Sequence, residues 1–191
     1  MDSLQTAFFK FLDPKNLLSI EDKHELLINA EISSADKGSH LINTGDNVQH
    51  ALYLMDGIVR YYVVTQDGQE VTKAFYKDSF LIGSFDVTFN HVPNKFSVQA
   101  LTPVTFLKIP INNIRNLMDN SHSFCKVYNS FIVSVFVFKE RREIELLSTK
   151  AILRMENFYK EFPQIANEIS NVALASYLGI TPVQLSRLKN K

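Results

Sequence analysis

The stretch Asn171–Lys191 constrains the fold of this chain more than any other segment, because it predicts two short helices joined by a tight turn. Gly179 follows an apolar-periodic segment, where the end of a helix favours a residue that tolerates positive φ. Thr181 is a good cap for a second helix, Pro182 suits its first position, and Gln184 is placed to reach back to the cap. The segment therefore predicts one helix that ends just before Gly179 and a second that begins at Pro182.

Apolar and small side chains in this stretch are spaced so that two crossed helices bury them against each other. They are Leu174, Ala175, Leu178, Ile180, Leu185 and Leu188. This pattern is typical of a DNA-binding helix-turn-helix. A helical hairpin that binds nothing is the alternative, because a fold alone does not confer DNA binding.

Polar side chains of the second helix are the candidates for contacting DNA. They are Thr181, Gln184, Ser186, Arg187, Lys189 and Lys191. Arg187 is a natural partner of guanine or of a phosphate, Gln184 of adenine, and Lys189 of phosphates. The alternative for Arg187 is an ordinary surface arginine paired with a glutamate. Pro182 and Val183, at the start of the helix, have no side-chain hydrogen-bonding group for base edges.

The overall charge does not by itself indicate a nucleic-acid partner, since 20 basic and 20 acidic residues give a formal net charge of zero. The distribution is more informative: positions 148–191 carry six basic and three acidic residues, and the basic ones gather at the end. Apolar content of 46% in 191 residues is enough for a sizeable core in one large or two small domains.

Cysteine and histidine usage excludes several kinds of site. Cys125 is the only cysteine, so an intrachain disulfide and a four-cysteine metal site are impossible. The five histidines are scattered, without the close pair that a metal-dependent barrel enzyme needs. We therefore predict a cytoplasmic protein with no metal and no membrane partner. The cysteine stands alone, the sequence starts without a basic and apolar leader, and the apolar run at Phe131–Phe138 is too short to span a bilayer.

The N-terminal part predicts two helices followed by a roll of short strands. Ser3 is a candidate cap ahead of Leu4, and Ser19 with Asp22 resembles a capping box. Between Ile32 and Ile109, about eight short segments of β-branched and aromatic residues alternate with turn signals. Such a pattern favours a closed antiparallel jelly roll, which can hold a small ligand between its sheets.

A long helix is predicted after the roll, from Asn120 or Ser121 to about Leu147. Aromatic and apolar residues along it are spaced 4, 3, 4 and 3 apart, as in a coiled coil. They are Phe124, Tyr128, Phe131, Val135 and Phe138. We interpret them as the seam of a homodimer, with Val133 and Val137 forming a second apolar face that lies on the roll. An ordinary core helix is the alternative.

This order of parts resembles the Crp/Fnr family of transcription regulators over essentially the whole chain. Ala175–Arg187 is similar to the family's helix-turn-helix, Thr44–Asp46 to one of its glycine turns, and Leu54–Tyr62 to its strand-glycine-strand hairpin. The resemblance implies an α+β fold with a double-stranded β-helix, or jelly roll, of cyclic-nucleotide-binding type at 1–118, a dimerisation helix at 119–147 and a DNA-binding unit at 148–191. It also implies a homodimer that binds promoter DNA under the control of a ligand in the barrel.

The residues at the family's phosphate-binding cassette are the candidates for a ligand pocket. Cyclic-nucleotide binders of the family carry Gly-Glu there and an arginine further on, which hold the ribose and the phosphate. In this sequence Gly83 is followed by Ser84, Asn94 stands at the arginine position, and Lys95 follows it. Both charged groups are missing, so we expect a small-molecule effector other than cyclic AMP or cyclic GMP, or none.

These features together predict a transcription regulator without enzymatic activity, with DNA, a second copy of the chain and a small effector as partners. One alternative is a sensor or scaffold that has lost DNA binding. This alternative is favoured by Pro182, Val183 and the neutral net charge. It is also favoured by the expectation that the four residues after Arg187 leave no room for the family's winged hairpin. The other alternative is a barrel enzyme of cupin type.

Overall fold

The computed structural model describes residues 3–190, with side chains from residue 5 onward. The predicted cap at Ser3, the apolar Leu4 and the basic Lys191 therefore lie outside the described side chains. The helices are α1 (Ser3–Leu12), α2 (Ile20–Leu27), α3 (Ile111–Asn120), α4 (His122–Ser148), α5 (Ala151–Glu161), α6 (Asn171–Tyr177) and α7 (Pro182–Lys189). The strands are β1 (Glu31–Ala35), β2 (His40–Ile42), β3 (His50–Asp56), β4 (Ile58–Val64), β5 (Glu70–Lys77), β6 (Phe80–Ile82), β7 (Ser97–Ala100) and β8 (Val104–Pro110).

The strands form two antiparallel sheets that enclose an apolar core. One sheet has the order β1-β8-β3-β6 and the other β2-β7-β4-β5. Leu54 and Ile82 of the first sheet meet Val59 and Val98 of the second in one buried cluster. The predicted jelly roll and the α+β class are therefore confirmed.

The alternation of side chains along β3 connects this core to the N-terminal helices. Leu52 and Leu54 point between the sheets, whereas Tyr53 belongs to a second cluster that contains Phe8 of α1 and Leu26 of α2. The two helices therefore cover the outer face of the first sheet. Within residues 3–190, no helix combines the length and the apolar character needed to cross a bilayer.

The C-terminal helices dock on the other sheet through the edge strand β5. The Phe75 ring lies 5.3 Å from the ring of Phe158 in α5 and 4.9 Å from that of Tyr177 in α6. Leu174 and Leu185, from the two helices of the helix-turn-helix, are fully buried in the same cluster. Helices α5 to α7 therefore share a core with the roll.

Gly57, in the turn between β3 and β4, occupies a position that excludes a side chain. Its φ is +100°, and a Cβ there would lie 2.5 Å from the carbonyl oxygen of Pro103 and 2.7 Å from Cγ1 of Val104. We expect Gly57→Ala to lower the free energy of unfolding by about 3 kcal/mol, because a left-handed backbone cost is added to a steric clash. Urea unfolding followed by circular dichroism measures this loss.

Gly68→Ala is the matched control for this prediction. Gly68 has a φ of +77°, but nothing lies within 4 Å of the added Cβ. We expect a loss of about 1 kcal/mol there, from the backbone conformation alone. Equal losses in the two variants would contradict the role assigned to the contact with Pro103.

Candidate functional site

A cavity of about 330 Å³ lies between β4, β5, the segment 83–96 and the middle of α4. Its apolar lining is mainly aromatic and includes Tyr61, Tyr76, Phe80, Phe85, Phe96 and Tyr128. Gly83, Ser84 and Lys95 also line it. The cavity therefore brings together three of the four ligand residues predicted from the sequence.

The segment after β6 forms a short helical turn at Asp86–Asn90 that the sequence did not predict. Ser84 begins it: its Oγ accepts a hydrogen bond from the N–H of Val87 at 3.4 Å. The guanidinium of Arg115, in α3, donates to the carbonyl oxygens of Val87 and Thr88 at 2.6 and 2.7 Å. This cassette turn is therefore held by contacts within the protein at both ends.

The cassette turn carries its own negative charge. The carboxylate of Asp86 lies 3.5 Å from Nζ of Lys95. The hydrogen bond from Asn90 and the charge of Lys95 hold the pKa of Asp86 below its ordinary value, so the carboxylate is ionised at neutral pH. The structure thus places an ionised carboxylate beside the lysine that follows the arginine position of the cassette.

Asn94, the fourth predicted ligand residue, does not line the cavity. It is only 2% exposed, and its Nδ2 donates to the carbonyl oxygens of Asn43, at 3.2 Å, and Phe96. Its backbone N–H donates to the carbonyl oxygen of Asp46 at 3.1 Å. We therefore correct its assignment from ligand binding to bracing the loop around Asp46, since a short buried amide satisfies backbone carbonyls there.

A bulge in β5 directs a lysine toward the cavity. Tyr61 pairs with Ala74 and Tyr62 with Thr72, so Lys73 is an extra residue in the strand. Strict alternation from the buried Ala74 would place Lys73 outside the roll, but a bulge lets both residues share a face, and Lys73 lines the cavity. No signal in the sequence marks this bulge.

A second lysine, Lys139 of α4, lines the same mouth of the cavity. Its Nζ lies 5.5 Å from the centre of the Phe85 ring. Burial lowers the pKa of the Lys139 amine, and the charge of Lys73 lowers it further. Neither lysine forms an ion pair with another residue in the range 3–190. The cavity mouth therefore carries uncompensated positive charge.

The phenol groups that line the cavity, by contrast, are polar but uncharged. Burial raises the pKa of Tyr61 well above its usual range and raises the pKa values of Tyr76 and Tyr128 to about 12. All three phenols are therefore protonated at neutral pH. They offer a ligand hydroxyl groups and ring faces rather than charge.

The predicted dimer seam is the face of α4 that packs against the chain's own roll. Its members are Phe124, Tyr128, Phe131, Val135 and Phe138. Phe124 and Tyr128 are 0% and 5% exposed, while the rings of Phe131 and Phe138 lie 6.0 Å from Phe11 and 5.9 Å from Tyr76. The first part of the predicted seam therefore packs within the chain, whereas Phe138 is 45% exposed. The role of these residues in a dimer stays a prediction. A helix that covers a roll and lines a cavity needs one apolar face, and the residues of such a face have the same spacing as a coiled-coil seam.

The opposite face of α4 carries a free apolar stripe. It consists of Val133, Phe136, Ile144 and Leu147, which are 60%, 66%, 56% and 83% exposed. At about 100° per residue these four side chains lie within about a quarter of the helix circumference. Val133, which we expected on the roll, is therefore corrected to this free stripe.

The helix-turn-helix has the local geometry predicted from the sequence. Gly179 has a φ of +66° at the turn. Oγ1 of Thr181 accepts from the N–H of Gln184 at 3.2 Å, and Oε1 of Gln184 accepts from the N–H of Thr181 at 2.9 Å. Pro182 opens α7 as predicted, so the cap, the proline and the glycine are all confirmed.

The predicted DNA-contacting side chains share the exposed surface of α7. All of Thr181, Gln184, Ser186, Arg187 and Lys189 are exposed. Nζ of Lys189 donates to Oδ1 of Asn171 at 2.7 Å. The capping box engages Gln184 through Oε1, so the Nε2 atom of Gln184 takes no part in the cap. Arg187 forms no ion pair within residues 3–190, so the expected alternative, pairing with a glutamate, is absent from that range.

Two arginines fasten the helix-turn-helix to the end of α4. The guanidinium of Arg142 lies 3.9 Å from the centre of the Tyr177 ring and donates to the carbonyl oxygen of the same residue. Arg154, from α5, donates through Nε and Nη2 to the carbonyl oxygen of Leu178 at 3.0 and 2.7 Å. The turn of the motif is thus anchored through its backbone carbonyls.

A further contact joins the motif to the cavity wall. The N–H of Thr72 donates to Oγ of Ser176 in α6 at 2.8 Å. Thr72 is adjacent to Lys73 in the bulge of β5. The strand that positions the cavity lysine therefore also contacts the helix-turn-helix.

Other kinds of site have little support in the structure. Residues 3–190 contain no group of three or more His, Cys, Asp or Glu side chains placed to hold a metal ion. Sγ of the partly buried Cys125 lies 2.9 Å from the carbonyl oxygen of Met118, which fits a packing role. The cavity and the surface of α7 remain the candidate sites.

A jelly roll with a cavity, a long helix and a C-terminal helix-turn-helix is the architecture of the Crp/Fnr class of transcriptional regulators, and the structural neighbours of this chain belong to that family. Residues 33–121 match the family model described as the cyclic nucleotide-binding domain. The predicted resemblance and fold are therefore confirmed. No curated protein sequence matches this chain.

Three solved structures illustrate the likeness. A Crp/Fnr-family structure from Eubacterium rectale is 16% identical, with a TM-score of 0.78 over 95% of this chain and 86% of its own. FixK2 from Bradyrhizobium japonicum is 16% identical, with a TM-score of 0.68 over 85% of this chain and 84% of its own. CLP from Xanthomonas campestris, described as a c-di-GMP-responsive global regulator, is 12% identical, with a TM-score of 0.66 over 90% of each chain. At these identities the likeness concerns the fold.

Proposed function

We propose that this protein is a cytoplasmic, homodimeric transcription regulator that binds DNA through α7 and responds to a small molecule in the cavity of its roll. The observation that carries the proposal is a well-formed helix-turn-helix whose second helix leaves Arg187 exposed and unpaired within residues 3–190. The proposed division is a sensor at 1–118, a dimerisation helix at 119–147 and a DNA-binding unit at 148–191. No enzymatic step is part of the proposal.

The proposed dimer forms along the free stripe of α4. Four large apolar side chains exposed on one side of a 27-residue helix need a partner, and the same stripe of a second copy is self-complementary about a two-fold axis. Two parallel α4 helices would pair Phe136 with Phe136 and Leu147 with Leu147 near the axis. This arrangement leaves the cavity face of each helix against its own roll.

In the proposed complex, α7 of each copy enters the major groove of one half-site. Dimeric helix-turn-helix proteins bind half-sites about 34 Å, or one DNA turn, apart. Arg187 is suited to guanine or phosphate, Lys189 to phosphate, and Nε2 of Gln184 to a base acceptor. Val183, which is 62% exposed, suits contact with a thymine methyl group.

Arg187→Ala tests this proposal directly. We expect DNA affinity to fall about tenfold, and the slope of log affinity against log salt to decrease in magnitude by about one if the contact is to phosphate. Fluorescence anisotropy with random duplex DNA, over a series of salt concentrations, measures both quantities.

Lys10→Ala is the control, because Lys10 is an exposed lysine on α1, away from the helix-turn-helix. We expect its affinity and salt slope to match those of the wild type. Equal affinity of the Arg187 variant and the wild type at every salt concentration would remove Arg187 from the interface.

A second candidate function is a ligand-sensing or scaffold protein that does not bind DNA. It is favoured by Pro182 and Val183 at the first turn of α7 and by the engagement of Gln184 in the capping box. Failure of the wild-type protein to bind duplex DNA even at low salt would favour it. Reproducible promoter enrichment in chromatin immunoprecipitation would exclude it.

A further inference from the structure

The cavity mouth carries positive charge that nothing in the described chain neutralises. Lys73 and Lys139 both line it, and neither forms an ion pair with another residue in the range 3–190. Burial lowers the pKa of Lys139, and repulsion by the charge of Lys73 lowers it further. A bound anion would relieve this repulsion and gain two charge-assisted contacts in a partly desolvated place.

The cassette turn, in contrast, is closed to an anion. Asp86 is ionised and faces Lys95 at 3.5 Å, so the one lysine on this side already has a partner. An anionic ligand group placed there would meet the carboxylate of Asp86. These charges therefore favour an anion in the space between β5 and α4 over an anion at the cassette turn.

The rest of the cavity offers flat ring faces. The rings of Tyr61 and Phe96 stack with centres 4.7 Å apart, and those of Tyr76 and Phe80 with centres 3.7 Å apart. Aromatic walls of this kind favour stacked or edge-on contacts with another ring. The volume of about 330 Å³ is at the lower end of the range of about 300–1,000 Å³ for ligand pockets, which limits the occupant to a small ring system.

We propose that the cavity binds a small planar aromatic molecule with one compact anionic group, its rings among Tyr61, Tyr76 and Tyr128 and its anion between the Nζ atoms of Lys73 and Lys139. This assignment rests on the proposed function in that it names the effector class of the proposed sensor. A carboxylate and a phosphate monoester share the required chemistry.

The test is isothermal titration calorimetry of the full chain without DNA, with three probes: 2-naphthoate, 2-naphthyl phosphate and the neutral 2-naphthalenemethanol. At least one anionic probe should bind about tenfold tighter than the alcohol, the usual effect of one charge-assisted hydrogen bond. The tighter of the two anions identifies the group. Lys73→Met and Lys139→Met should each weaken anion binding about tenfold and leave binding of the alcohol unchanged.

Two further lysine variants locate the anion. Lys126→Met, at an exposed position of α4 outside the cavity lining, should bind the anion as the wild type does. Lys95→Met should weaken anion binding less than either Lys73→Met or Lys139→Met, because it removes no direct contact with the anion and only leaves Asp86 unpaired. Loss of anion binding in Lys95→Met alone would overturn the proposal, as would equal affinity of the wild type for all three probes or no binding of any probe. Because DNA is absent, these outcomes are independent of the DNA titration.

Discussion

Phe136→Glu should convert the protein from a dimer to a monomer and weaken its binding to a two-half-site DNA by about 100-fold or more, since the avidity of two linked helix-turn-helix units is lost. Phe136 is 66% exposed in the middle of the free stripe of α4. A glutamate there would face its own copy across the proposed two-fold axis, where burying two like charges without partners is costly. Sedimentation velocity gives the oligomeric state and fluorescence anisotropy the DNA affinity.

Ser130→Glu is the control, because Ser130 is an exposed polar position of α4 about a third of a turn around the helix from Phe136. It adds the same charge outside the stripe, and we expect it to remain dimeric. The same change at Phe131 should instead destabilise the single chain, since the Phe131 ring packs against Phe11 and Tyr128. A Phe136→Glu protein that stays dimeric would contradict the proposed seam.

Arg154→Met should lower the free energy of unfolding by about 3–5 kcal/mol, because it removes the donors of several buried carbonyl groups at once. Arg154 is 7% exposed. Its guanidinium donates to the carbonyl oxygens of Leu178, Leu146, at 3.2 Å, and Thr149. The positive charge lies where α4 and α6 both end, so it is favoured by the negative ends of two helix dipoles.

Urea unfolding measures the total loss for Arg154→Met, and hydrogen exchange shows where it occurs. We expect the amides of α5 to α7 to lose protection before those of the roll, because Arg154 joins the turn of the helix-turn-helix to the end of α4. Arg141→Met is the matched control, since Arg141 is exposed and makes no hydrogen bond within residues 3–190. A loss for Arg154→Met no larger than for Arg141→Met would contradict this role.

The helix-turn-helix and the order of the parts could be predicted from the sequence because their signals are local. A capping box, a proline at the first helical position and a glycine with positive φ depend on residues no more than a few positions apart. The turn at Gln66–Gln69 is equally local, since it closes the hairpin of β4 and β5 with a hydrogen bond of 2.9 Å from the N–H of Thr65 to the carbonyl oxygen of Gln69. Such features form in the same way whichever tertiary packing the chain adopts.

The candidate ligand site was less predictable. Comparison with the cassette of cyclic-nucleotide binders located Gly83, Ser84 and Lys95, which line the cavity. It did not locate Lys73, because a one-residue bulge inverts the side of the strand on which that residue lies. It also placed Asn94 in the pocket, whereas the buried amide of Asn94 serves nearby backbone carbonyls.

The class of fold, the helix-turn-helix and the two apolar faces of the long helix could all be inferred from the order of residues. The face of α4 that covers the roll could not, because periodicity gives the angle between two faces but not the partner of either. The cavity needs ring side chains such as Tyr128 on one face, and Phe136 and Leu147 are therefore left exposed on the other. Likewise, Lys73 lines the cavity because β5 contains one extra residue where it pairs with β4.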